Sequence, residues 1–277
     1  PLLFILLLII VVASCLLPDA GKGVEFLLKP DFGKVDRNVF LNALGQSFYS
    51  MSIGMGCICT YASYFSRQTN LFKSALQISV IDLMVAVLAG LMIFPAAFSV
   101  GISPDSGPSL IFITLPNVFN KAFAALPVLG WIISLLFYVL LSVAALTSLM
   151  SLHEVNTSFF YEELKIDRKK GAWIVTISCA VIGAFCSFSL GATDKLSWFG
   201  KTLFDWFDFI TGQIFLPMAG LLTCLFLGWY VPKKILKDEF TNWGTLKGRL
   251  FGIYFFLIRF VCPILILLVF LNQFDVL

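Results

Sequence analysis

Charge is what this chain has least of: Asp, Glu, Lys and Arg make up 13% of its 277 residues, and it holds one histidine. Against 59% hydrophobic residues and 30 Phe, that shortage excludes a water-soluble domain, because so few polar groups could not cover so much apolar surface. His153 opens "HEVNT", which has the first half of an HExxH zinc signature and lacks the second His, so metalloprotease chemistry is excluded. Neither GxSxG nor a Walker loop occurs, which removes the defining residues of serine hydrolases and ATPases. The seven Cys lie in or beside apolar runs, with Cys57 and Cys59 too close for a CxxC motif, and they read as buried reduced thiols. The net charge of +3 resides in loops and leaves no basic surface suited to nucleic acid.

Long apolar runs are what the chain has instead, and they define an all-α integral membrane protein. Runs near the roughly 20 residues that cross a bilayer fall at 2–17, 43–65, 74–99, 128–161, 172–191, 203–229 and 250–271. The first has neither an initial Met nor a basic flank, so it reads as the tail of a helix that starts upstream. All six Trp lie at or near segment ends, where an amphipathic ring suits the headgroup region. Alternate loops carry eleven and seven basic residues; the richer set, Arg67 to Arg249, is expected on the cytoplasmic side of a multi-pass protein of the cell membrane. Residues 18–37 read as external turns. The segment 100–127, broken by Pro104, Pro108, Pro116 and Pro127, reads as short helices folded over the outer face.

Within the span 43–65, "GQSFYSMSIGMG" places Ser50, Ser52, Gly54 and Gly56 at every second position. Those positions point in different directions on a helix and to one side in an extended chain, so the stretch reads as a broken helix. Unwinding frees carbonyls to coordinate ions and is tolerated in lipid only where it lines a protein-enclosed cavity; Ser52 and Gly56 also suit plain helix packing.

Four carboxylates fall within apolar segments, where insertion costs about 2.5 to 3.5 kcal/mol: Asp82, Glu154, Asp205 and Asp208. Asp205 and Asp208 lie near the external start of their helix, and Glu154 lies within reach of a basic loop. Asp82 sits well inside its span, on a face with Ala86, Ala89 and Gly90 that lets another helix approach. It suits a cation ligand, a proton carrier or a hydrogen bond to a neighbouring helix. Ala144, Thr147, Ser148 and Ser151 form a small polar face that suits either helix packing or a hard cation.

In order along the chain, "ALGQSFYSMSIGMGCICTYASYF", "DLMVAVLAGLMIFPAAFSVG", "GPSLIFITLPNVF", "SVAALTSLMSLHEV" and "LFDWFDFITGQIFLP" resemble the sixth helix, the seventh, the external gate loop, the eighth and the tenth of the neurotransmitter:sodium symporters, specifically their bacterial amino-acid-transporting members. The resemblance implies an inverted-repeat, leucine-transporter-type fold. This chain would hold the end of helix five, helices six to ten and helix eleven, as a single transmembrane domain that lacks the N-terminal helices of the same protein. It implies one sodium site using Ser50 and Asp82 and another using the Ala144 carbonyl with Thr147 and Ser148. Substrate contact would involve Tyr49, Ser50, Ser52, Met55, Ser148 and Leu152; Tyr49 would be an aromatic lid, Asp208 the acid of the outer gate, and Gln46 would lie near the chloride site. Chloride-dependent relatives have Asn at the position of Asp82 and Ser at that of Ala86, so a fixed carboxylate would here stand in for chloride.

The expected function is therefore sodium-coupled symport of a hydrophobic or aromatic amino acid, independent of chloride. Its partners would be the amino acid, sodium ions and the bilayer, with no organic cofactor, transition metal or nucleic acid. Two rivals remain: an amino-acid sensor on the same fold, and an intramembrane enzyme using Asp82 and Asp208, around which no GxGD-type motif occurs.

Overall fold

Nearly every described residue is helical, as lipid requires of a chain that must pair its own backbone groups. A computed structural model of the chain describes residues 2–66, 68–99, 119, 124, 126–191, 197–198, 201–246 and 248–273. They fall into two compact units, Pro1–Lys34 with Ile78–Leu149, and Val35–Gln77 with Met150–Leu277. Most of the expected loop 100–127 lies outside the described residues.

The first unit holds α1 (Leu2–Cys15), α2 (Ala20–Leu28), most of α5 (Leu71–Ser99) and the first part of α6 (Pro127–Glu162). Its core joins Leu7, Ile10 and Val11 of α1 to Met92 and Ala96 of α5 and to Ile133 and Phe137 of α6. Helix α2 corrects the expectation of external turns at 18–37: the chain bends by 117° after α1, with Asp19 in the left-handed region, and then winds again. Of the glycines of "PDAGKG" that read as turn formers, Gly23 serves close approach instead. A Cβ at Gly23 would stand 2.5 Å from the Pro95 nitrogen, and Leu27 packs onto Gly90, so α2 crosses α5 on the small-residue face below Asp82. Phe26 meets Phe94 and Phe98 at 5.2 and 5.3 Å between ring centroids.

The second unit is built on α3 (Arg37–Ser50), α4 (Cys57–Ser63), α7 (Arg168–Gly191), α8 (Leu203–Tyr230), α9 (Lys233–Phe240) and α10 (Phe251–Asn272), with the ends of α5 and α6. A two-stranded antiparallel hairpin, Ser197–Trp198 with Lys201–Thr202, leads into α8. Thr202 caps that helix: its hydroxyl accepts from the Asp205 N–H, and the Asp205 carboxylate accepts from the Thr202 N–H at 3.0 Å. This gives Asp205 a capping role. Helices α8 and α10 pack together, and the later part of α10 packs on α3.

Among the described residues five helices are long and apolar enough to cross a membrane, and the bent pair α1 and α2 is a sixth candidate. Little of each span is covered by the described protein, between 11% and 22% of its most apolar window. The thiols follow the same rule and correct the expectation of uniform burial. All seven are free, but only Cys57 is buried, because a thiol facing hydrocarbon needs no protein cover.

Gly23 and Gly21 share α2 and differ in surroundings, since a Cβ at Gly21 meets nothing within 4 Å. Gly23→Ala is expected to destabilise the protein by about 3 kcal/mol, by overpacking against rigid backbone. Gly21→Ala is expected to gain up to about 1 kcal/mol in helix propensity. Thermal melting of the two variants in the same detergent checks this; equal shifts would rule out the close crossing.

Candidate functional site

Helix α3 stops at Ser50 although the apolar sequence runs on. The Ile53 N–H donates to the Phe48 carbonyl at 3.1 Å and the Ser52 N–H to the Tyr49 carbonyl at 3.0 Å, the paired bonds of a Schellman end. That motif needs a left-handed residue after the helix, and Ser52 supplies it at φ 52°. Gly54 and Gly56 follow at φ 92° and 80°, so the small residues at alternate positions serve left-handed backbone. The segment is a chain of turns, which corrects the extended conformation that the alternation suggests. Helix resumes at Cys57.

The break is held from two sides. A Cβ at Gly54 would stand 2.5 Å from the Leu216 carbonyl oxygen, and the Phe48 ring occupies the space that a side chain at Gly220 would need, so the turn rests directly on α8. On the other side, a Cβ at Gly56 would lie 3.3 Å from Val155, and the Tyr61 hydroxyl donates to Ser151 at 2.9 Å, tying α4 to the end of α6. Among the described residues the carbonyls of Ile53, Gly54 and Met55 accept no backbone hydrogen bond.

Of the residues expected to bind sodium or substrate, Tyr49 and Ser50 form the last turn of α3, Ser52 and Met55 lie in the break, and Leu152 is on the part of α6 in the same unit. Asp82, Ala144, Thr147 and Ser148 belong to the first unit. There the Thr147 hydroxyl donates to the Ala144 carbonyl at 2.8 Å, and Asp82 is half-buried on α5. Gln46, Tyr49 and Asp208 meet around a cavity of about 610 Å³ lined by α3, α8 and α10. Its polar rim includes Asn272, whose amide donates to Asn42 at 3.4 Å. Ser50, Ser52, Met55 and Leu152 do not line this cavity.

A second polar cluster escapes a reading of motifs. Glu154 Oε1 accepts from the Tyr64 hydroxyl at 2.8 Å and from the Arg168 guanidinium at 2.5 Å, and Ser158 stands 3.0 Å from Tyr64. The sequence signal for Arg168 is its place in the basic loop beside the end of α6. Tyr64 gives none, because a tyrosine at a span end also reads as an interface anchor. His153 is a bridge between helices: Nε2 lies 3.1 Å from the Ala172 carbonyl and 3.0 Å from the Thr176 hydroxyl, and Nδ1 lies 3.2 Å from the Thr157 hydroxyl. No cluster of three metal-ligating side chains occurs among the described residues. Arg259, inside the span 250–271, is missed by a count of loop charges.

A helix broken by left-handed turns, beside a cavity with a carboxylate at its rim, is an arrangement also found in membrane transporters, where irregular backbone lines the solute path. The sequence matches the Sodium:neurotransmitter symporter family over residues 2–276, and the chain belongs to that family. It is 36% identical to the uncharacterised sodium-dependent transporter YhdH of Bacillus subtilis strain 168, over all of this chain and 60% of that protein. It is 35% identical to an uncharacterised sodium-dependent transporter of Haemophilus influenzae, over 99% of this chain and 58% of that one. The crystal structure of MhsT in complex with L-phenylalanine superposes with a TM-score of 0.83 at 36% identity, covering 98% of this chain and 60% of MhsT. The chain thus spans about 60% of the length of these relatives. Membership of a transporter family sets the intramembrane enzyme aside.

The left-handed serine offers a test of the break. Ser52→Gly is expected to stabilise the fold by about 1 kcal/mol, and Ser52→Val to destabilise it by 1 to 2 kcal/mol or more, roughly the steric cost of a Cβ in that region. Melting temperatures that place Val above Gly would overturn the assigned turn.

Proposed function

We propose that the protein works as a sodium-coupled amino-acid symporter of the cell membrane, moving solute by alternating access without chloride. The observation that carries this reading is the break at 51–56, where three carbonyls are released from helical pairing between two half-helices. Membership of the symporter family supports sodium as the coupled ion, and the phenylalanine bound to MhsT supports a hydrophobic or aromatic amino acid as the solute.

In the second unit Ser50 is the proposed sodium ligand, and Tyr49, Ser50, Ser52, Met55 and Leu152 are the proposed substrate contacts. In the first unit Asp82, Ala144, Thr147 and Ser148 are proposed for sodium, with Ser148 shared by substrate. The Ala144 carbonyl and the Thr147 hydroxyl, 2.8 Å apart, can both reach one hard cation at about 2.3 to 2.6 Å. Rotating the Thr147 hydroxyl proton away from the carbonyl would expose both lone pairs. Met55, half-buried in the break, suits an apolar side chain. Tyr49 and Asp208, which share the rim of the 610 Å³ cavity, are proposed as the outer gate, and Gln46 on the same rim is proposed for charge compensation; in the first unit Asp82 is proposed for the same task. Sodium and solute would then favour one another's binding by a reciprocal free energy.

Uptake of a labelled amino-acid panel into proteoliposomes by the full-length gene product, with and without a sodium gradient, tests this. Sodium-driven accumulation of an apolar or aromatic amino acid, unchanged when gluconate replaces chloride, is expected. Saturable sodium-dependent binding without accumulation would overturn symport in favour of a sensor. Asp82→Asn is expected to raise the half-saturating sodium concentration by about tenfold or more, the scale of losing one buried charged partner. It should also make uptake respond to chloride; an unchanged sodium dependence would remove Asp82 from the ion site.

A further inference from the structure

Arg259 is a charged residue inside a membrane-spanning helix that the transport reading leaves without a task. It sits eight residues into α10, about 12 Å along the axis at 1.5 Å per residue. Its guanidinium lies 4.3 Å from the ring centroid of Trp229, in the last turn of α8, and 5.5 Å from that of Phe260. The charge is therefore level with the last turn of α8. The helices touch closely there: a Cβ at Gly228 would be 3.0 Å from the Arg259 Cα, and the Trp229 indole N–H donates to the Arg259 carbonyl at 3.4 Å. Both helices widen into π-helical turns at this contact, Phe226–Tyr230 and Leu257–Val261, a local distortion that recurs at functional sites.

The guanidinium is held but not satisfied. Its Nε is buried and has no hydrogen-bond partner, and no carboxylate among the described residues reaches it. Aromatic faces offset the charge but accept none of the in-plane N–H donors. A second cation stands by, since Lys233 Nζ lies 5.0 Å from the Phe255 ring and the Arg259 guanidinium 5.7 Å from the same ring. Lys233 has no carboxylate partner among the described residues either. Trp229 is 59% exposed, so the pair opens outward. Two cations without a carboxylate partner among the described residues, one offering a planar fork that matches a phosphate, form an anion site on this surface.

We propose that Arg259 and Lys233 bind the phosphate of an anionic phospholipid in the leaflet facing the basic loop 230–249, with Trp229 as the platform. The occupant is a lipid rather than a free ion because the site lies on an exposed face of α8 and α10, two helices long and apolar enough to cross a membrane. It is an anionic lipid because two positive charges leave a zwitterionic headgroup uncompensated. This site is independent of the transport reading and stands or falls by itself.

The test reconstitutes the full-length gene product into nanodiscs of equal phosphatidylglycerol and phosphatidylcholine, then counts retained lipids by native mass spectrometry. The wild type is expected to retain phosphatidylglycerol preferentially. Arg259→Gln should reduce that preference about fivefold, the scale of one basic residue at a charged membrane surface. Arg259→Lys should keep part of it and so separate loss of charge from loss of fold, and Lys170→Gln, in the first turn of α7, should leave it unchanged. Equal retention of the two lipids by the wild type, or an unaltered preference in Arg259→Gln, would overturn the proposal. Displacement of the lipid by millimolar inorganic phosphate would overturn the lipid assignment and leave a free-anion site, whereas retention in its presence supports the lipid.

Discussion

The constraint on which the rest of this structure depends is that a backbone in lipid must find its own hydrogen-bond partners. Helices meet it automatically, and the break between Ser50 and Cys57 cannot. Two N–H groups of the stretch are turned back onto the end of α3, at Ile53 to Phe48 and Ser52 to Tyr49, and among the described residues the carbonyls of Ile53, Gly54 and Met55 accept no backbone hydrogen bond. Those spare acceptors suit the proposed task. An unpaired buried N–H serves no cation, whereas a carbonyl with spare lone pairs is a ligand.

Left-handed turns in a membrane persist only if the surroundings over-determine them. Here α8 presents bare backbone at Leu216 and Gly220 to receive Gly54 and Phe48, and the end of α6 fixes the other half through Val155, Ser151 and Glu154. Ser52 carries the steric cost of φ 52° at a position where glycine would sit without strain. Retaining a hydroxyl there is understandable if the hydroxyl is used, which is why Ser52 belongs among the proposed substrate contacts.

The sequence made the break legible because left-handed backbone selects small residues, and three of them fall two apart. The same pattern fits an extended strand, so composition located the irregularity without giving its conformation. Helix α2 was illegible for a related reason. Glycine serves turns and close helix crossings alike, and only the position of Pro95 decides for Gly23. Arg259 went unread because loop counting treats charges inside spans as outside its scope. Its significance lies in Trp229, thirty residues away and adjacent only in three dimensions. The proposed sodium and substrate residues come from family resemblance, since their chemistry alone, small hydroxyls and a carboxylate, is shared with ordinary helix packing.

Two of the four carboxylates of the apolar segments are engaged in strong local bonds. Asp205 is engaged in the cap of α8, and Glu154 Oε1 takes Tyr64 and Arg168 together. Either would have to surrender strong local bonds before it could bind a mobile ion, so each is better suited to fixing structure, Asp205 at a helix start and Glu154 between α4, α6 and α7. Asp208 differs, because its carboxylate stands on the rim of a cavity beside Tyr49 and is exposed. A group so placed can exchange partners as the cavity opens and closes, which a gate requires and a cap does not. Asp82 differs again, being half-buried on α5. Four acidic residues that look alike as letters thus divide into two that local bonds commit to anchoring structure, Asp205 and Glu154, and two, Asp208 and Asp82, for which the proposed gate and ion-ligand tasks are left.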